Sequence, residues 1–128
     1  MVLFFFCVYG TIWVVTVVGE VVDFSELDDT LHCSFSGRLD GLVCSEIEHE
    51  LLHRTTNYKG DRENVRLVFD LAEVVYVSSA FLRLCLIHCK TFGKNCYSIT
   101  NVSEEIHKVF RISGFSEIME VVPADGAG

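Results

Sequence analysis

The chain has 128 residues, 50% of them hydrophobic and 22% charged, with one proline and nine glycines. That apolar content excludes a disordered chain, and the length fits one domain that can bury enough surface to fold without a metal or disulfide scaffold. Its 18 acidic and 10 basic side chains leave a formal charge of -8, with no lysine or arginine before Arg38, the opposite of what a phosphate-neutralising nucleic-acid binder needs.

The first 18 residues, MVLFFFCVYGTIWVVTVV, carry no charge. As a helix at about 1.5 Å per residue they would reach about 27 Å, enough for a hydrocarbon core. The flank that follows (Glu20, Asp23, Glu26, Asp28, Asp29) is acidic and supplies no retaining positive charge. Three readings fit residues 1–19: an added strand or hairpin around Tyr9-Gly10-Thr11, a membrane or signal segment, or residues added by an upstream start codon.

From residue 20 the pattern is regular. Residues 20–27 (EVVDFSEL) and 31–39 (LHCSFSGRL) are strand-like runs separated by Asp28-Asp29-Thr30, a hairpin signal. In the second run Leu31, Cys33, Phe35 and Leu39 share one face, and His32, Ser34, Ser36 and Arg38 share the other. Val43, Ile47 and Leu51, with Leu52 beside them, then have helical spacing, and Ser45 and Glu48 have capping-box spacing. The polar stretch 55–64 (TTNYKGDREN) reads as a loop. Residues 65–77 (VRLVFDLAEVVYV) are nearly all apolar, as in a central strand covered on both faces or in a sheet with parallel neighbours.

Ser78-Ser79 opens a helix, AFLRLCLIHCKTF, that is apolar almost all round and is capped by Gly93. Residues 95–102 read as a strand, and Ser103 opens a second capping box with Glu104-Glu105-Ile106. Ile106, Val109, Phe110 and, past a break at Ser113-Gly114, Phe115 and Ile118 form an amphipathic stripe. Residues 119–122 make a short last strand, and residues 124–128 a frayed tail. Alternating strands and helices of this kind imply an α/β fold, a mixed central β-sheet with parallel pairings and helices packed against it.

The cysteines, Cys7, Cys33, Cys44, Cys85, Cys89 and Cys96, form no CxxC pair and read as reduced, buried, small hydrophobes. Cys85, His88 and Cys89 lack a fourth ligand and lie in an apolar helical run, so neither metal nor cofactor is expected. GxSxG, HExxH, Walker A and GxGxxG motifs are absent, so the chain has no enzyme signature. His32, His49, His53, His88 and His107 read as surface or edge residues.

Ser78-Ser79 has two readings. One is an N-cap whose hydroxyl accepts an orphan backbone N–H, worth on the order of 1 kcal/mol. The other is a phosphoacceptor, where a phosphate would meet the positive end of the helix dipole and add about -1.5 to -2 charges to a surface.

Four ordered stretches resemble the STAS domain, the fold of bacterial anti-sigma factor antagonists and of the cytoplasmic tail of sulfate transporters. Ser36-Gly37-Arg38-Leu39-Asp40 resembles the family's G-x-L-D turn. Asp70-Leu71-Ala72-Glu73-Val74-Val75-Tyr76-Val77 resembles its central strand, and Ser78-Ser79-Ala80-Phe81-Leu82-Arg83 stands in the place of D-S-S-G-L-G or S-S-A-G-L-R. Asn101-Val102-Ser103 and Phe110-Arg111-Ile112-Ser113-Gly114-Phe115 resemble the strand exit and the break in the last helix.

The resemblance covers residues 20–123 and implies a STAS-like fold and a non-enzymatic, phosphorylation-switched protein. Its implied partner is an anti-sigma factor that is also a serine kinase, whose capture releases a sigma factor in the cytoplasm. Ser79 is the implied phosphoacceptor, with Ser78 the alternative if the alignment slips by one. Asp40, Ser78, Ser79, Ala80, Phe81 and Arg83 are the implied partner contacts. The chain departs from the family in having Ser78 for the motif Asp and Phe81 for the glycine. The alternative is a membrane-associated STAS module tethered through residues 1–18.

Overall fold

Asp28 and Asp29 both take left-handed backbone conformations, with φ of 54° and 59°. A two-residue type I′ turn needs that pair, and aspartate tolerates it better than most residues. In the computed structural model, which describes residues 21–124, this turn joins β1 (Val22–Leu27) to β2 (Thr30–Leu39) as an antiparallel hairpin.

Three further strands follow: β3 (Arg66–Val77), β4 (Tyr97–Val102) and β5 (Glu120–Pro123). The sheet order is β1-β2-β3-β4-β5, and every pairing after the hairpin is parallel. Parallel neighbours need long crossovers. Each contains a helix: α1 (Gly41–Lys59), α2 (Ser79–Phe92) and α3 (Glu104–Ile112). The expected mixed sheet with packed helices is therefore present.

The core lies between one sheet face and the helices. Leu31, Cys33, Phe35 and Leu39 of β2 and Leu67, Phe69 and Leu71 of β3 meet Ile47 and Leu51 of α1, Phe81 and Leu84 of α2, and Phe110 of α3. Phe69 is its centre, with edge-on contacts to Phe35 at 4.8 Å and Tyr97 at 5.2 Å. Such pairs add about 0.5–1.5 kcal/mol beyond area burial.

Several expectations are corrected. α1 begins at Gly41, capped by Asp40, whose carboxylate accepts the Val43 N–H at 3.0 Å; Ser45 lies inside the helix. Residues 55–59 are helical, because Thr55 is buried and bonds the His88 ring at 3.0 Å while its neighbours face solvent. Gly60, at φ 52°, ends the helix.

Among the described residues β3, parallel to both its neighbours, is covered on one face only: Ala72, Glu73, Val75 and Tyr76 are exposed. His88 is a core residue, 1% exposed, whose Nδ1 donates to the Leu84 carbonyl at 2.7 Å. Val109 and Ile118 of the last stripe are exposed, whereas Ile106 and Phe110 are buried. Among the described cysteines, Cys33, Cys44, Cys85 and Cys89 are buried and unpaired. Residues 1–20 and 125–128, with Cys7, lie outside the described residues.

Candidate functional site

The site begins with two irregularities in β3. Ser34 pairs with Asp70 but Ser36 with Glu73, and Gly37 pairs with Val74 but Arg38 with Tyr76. At each shift β3 carries one residue more than β2, and such bulges bend a strand and re-aim its side chains. The strands then finish level, Leu39 beside Val77. Consequently α1 and α2, which start immediately after them, present their first turns at the same end of the sheet.

The Leu39 carbonyl joins these two starts. It accepts the Ser78 backbone N–H at 3.1 Å and the Ser78 hydroxyl at 2.8 Å, and the Cys44 thiol approaches it at 3.7 Å. Ser78 occupies the N-cap position of α2, but its side chain caps no helical N–H. The expected capping bond is thus replaced by a bond to a residue 39 positions upstream. Burial pushes the Cys44 thiol up, so Cys44 is a poor nucleophile.

Ser79 is different. It is the first residue of α2, it is exposed, and its hydroxyl bonds no described residue. Ala80 is half-buried beside it. Arg83, one turn on, is exposed and lies 3.4 Å from Glu48 of α1, an ion pair worth little at such exposure. Asp40 holds the start of α1 through its capping bond.

Phe81 corrects one expected contact. Its side chain is 0% exposed and packs edge-on against Phe35 at 5.1 Å, so it belongs to the core and cannot touch a partner. The sequence reading also missed three apolar side chains near this end: Leu42 in the first turn of α1, 70% exposed, with Val75, 69% exposed, and Tyr76, 40% exposed. Arg38 lies over the Tyr76 ring, 4.3 Å from its centroid. The run Val74-Val75-Tyr76-Val77 was the available signal, because four consecutive apolar strand residues cannot all face one core.

Elsewhere, Cys85 is fully buried and burial pushes its thiol strongly up; burial pushes the Cys33 thiol up to about 12. Among the described residues no cluster of three His, Cys, Asp or Glu could hold a metal, and no helix is long and apolar enough to cross a membrane. A cleft of about 660 Å³ lies at the opposite end of the sheet, between the hairpin and the end of α1. Its two arginines stack on aromatic neighbours, Arg54 on Phe24 and Arg62 on Tyr58.

No family model matches this chain, and no curated protein matches it in sequence. The structure of the anti-sigma factor antagonist SpoIIAA in its unphosphorylated form does match. The TM-score is 0.62, over 84% of this chain and 92% of that one, at 17% sequence identity. The chain has the STAS fold. On that STAS frame the exposed serine, the capped start of α1 and the apolar trio occupy one end of the sheet, and the arginine-lined cleft occupies the other.

Proposed function

We propose that this chain is an anti-sigma factor antagonist: a non-enzymatic binding module that captures an anti-sigma factor and is switched off by phosphorylation of Ser79. The observation that carries this reading is the state of Ser79, an exposed hydroxyl without a bonding partner among the described residues, at the start of a helix and at the same end of the sheet as exposed Leu42, Val75 and Tyr76. Apolar side chains with Arg38 and Asp40 among them fit the make-up of a protein interface, an apolar centre with polar groups around it. The SpoIIAA fold supports the same class of role.

The switch needs no rearrangement of the domain. The anti-sigma factor, acting as a serine kinase, transfers the γ-phosphoryl group of ATP. The Ser79 Oγ–P bond forms as the bond from that phosphorus to the bridging oxygen breaks, ADP leaves, and the hydroxyl proton passes to the kinase's base. About two negative charges then stand where the partner packs. A repulsive or unpaired charge in an interface costs several kcal/mol, whereas 1.4 kcal/mol already changes affinity tenfold. The chain's charge of -8 adds to that repulsion for an acidic partner surface. The protein would act in the cytoplasm, where sigma factors work.

The test is site mapping by mass spectrometry on protein recovered from its own cells. One phosphate on Ser79, absent from Ser79→Ala, is the expected result. A protein that never carries phosphate, or carries it only elsewhere, would remove the switch.

A further inference from the structure

We infer that Ser78 is a positioning residue for the phosphoacceptor, and that its bond to Leu39 is what makes Ser79, and not Ser78, the serine available for modification. This rests on the proposed switch and adds which hydroxyl is used and what holds it in place. Two neighbouring serines open α2, and their surroundings are opposite. The Ser78 hydroxyl is half-buried and donates its one proton to the Leu39 carbonyl at 2.8 Å. The Ser79 hydroxyl is exposed and has no such bond.

The chemistry separates them further. An attacking serine must present a free oxygen and release its proton to a base. At Ser78 the proton faces a carbonyl that also accepts the Ser78 N–H at 3.1 Å. A phosphate on that oxygen would replace the only donor with acceptors and set negative charge against the carbonyl. At Ser79 no bond to a described residue has to break.

The Ser78 bond also has a positional consequence. Leu39 ends β2 and precedes Asp40, the cap of α1. The hydroxyl and the backbone N–H of Ser78 therefore tie the start of α2 to the start of α1 at one oxygen, with the Ser78 carbonyl in turn accepting the Leu82 N–H at 3.1 Å. The buried Phe81 ring and the backbone bond fix the first turn on its core side. The second bond, from the side chain, adds a tether on the solvent side, next to exposed Ser79. Threonine keeps the donor and alanine removes it. Aspartate, ionised, offers only acceptors toward the Leu39 carbonyl, so the family's own residue at this position does not reproduce the tether.

The test uses the full chain. Amide hydrogen exchange is followed in wild type, Ser78→Ala, Ser78→Thr, Ser78→Asp and Ser79→Ala, and in two proteins with phosphoserine installed by genetic encoding at 78 or at 79. A net hydrogen bond of ordinary strength corresponds to about tenfold faster exchange at Ser78 and Leu82 when it is lost. That increase is expected in Ser78→Ala, Ser78→Asp and the 78-phosphorylated protein. Ser78→Thr returns exchange to within about twofold of wild type, and Ser79→Ala and the 79-phosphorylated protein do not differ from it. Unchanged exchange in Ser78→Ala, failure of threonine to restore it, or phosphate tolerated equally at both serines would overturn the inference. Failure of the switch itself is recognised separately, as absence of phosphate from Ser79 in protein from its own cells with the exchange pattern intact.

Discussion

The ring of Phe81 packs edge-on against the ring of Phe35, their centroids 5.1 Å apart, and Phe69 lies 6.1 Å from Phe81. A residue two positions after the candidate phosphoacceptor is thereby built into the centre of the core. Phe81→Ala should cost about 3–5 kcal/mol, because a large buried ring leaves a cavity that the sheet cannot close. The urea midpoint should fall by a corresponding amount; a loss under 1 kcal/mol would mean that the first turn of α2 is not anchored through this ring.

Tyr97 is fully buried, and its hydroxyl has no hydrogen-bond partner among the described residues. The Cys85 thiol is a polar neighbour, but a weak donor and acceptor. Removing an unsatisfied buried hydroxyl relieves a desolvation penalty, so Tyr97→Phe should stabilise by about 1 kcal/mol. In a domain of this size that raises Tm by about 4 °C. Calorimetry decides it: a lower Tm would show that the hydroxyl is bonded in solution.

His88 makes stability depend on pH. Burial holds its pKa below the ordinary 6.5, against the opposing bond to the Leu84 carbonyl. Between the native pKa and 6.5 the unfolded chain binds a proton that the native protein does not, so stability falls as pH drops through that window and is unaffected by this group above it. Urea midpoints at pH 7.5 and 5.5 should therefore differ more in wild type than in His88→Leu. Equal differences would remove His88 as the titrating group.

Thiol labelling ranks the cysteines. Cys33, Cys44, Cys85 and Cys89 are buried, and burial pushes all four thiols up, so little thiolate is available. Cys96, half-buried after α2, should be alkylated first among these five. Peptide mapping after brief iodoacetamide treatment would show otherwise if Cys85 reacted as fast.

The hairpin was legible because Asp28-Asp29 stands between two alternating runs, and the strand and helix order followed from changes of period. The end of α1 was not. Residues 55–59 look like a loop until Thr55 is seen to meet His88, 33 residues later. The bulges of β3 were equally hidden, since they exist only relative to β2, and with them went the exposure of Val75 and Tyr76. At the candidate site the position of Ser79 was readable from its neighbours. The partner of Ser78 was not, because the local capping rule competes there with a carbonyl 39 residues upstream, and the distant acceptor wins.

The most direct measurement is to co-purify the chain's partner from its own cells and titrate it by calorimetry against two forms of the chain, unmodified and carrying phosphoserine at 79. A switch at Ser79 requires affinity at least tenfold weaker for the phosphorylated form, or about 1.4 kcal/mol. Equal affinity for the two forms would contradict it.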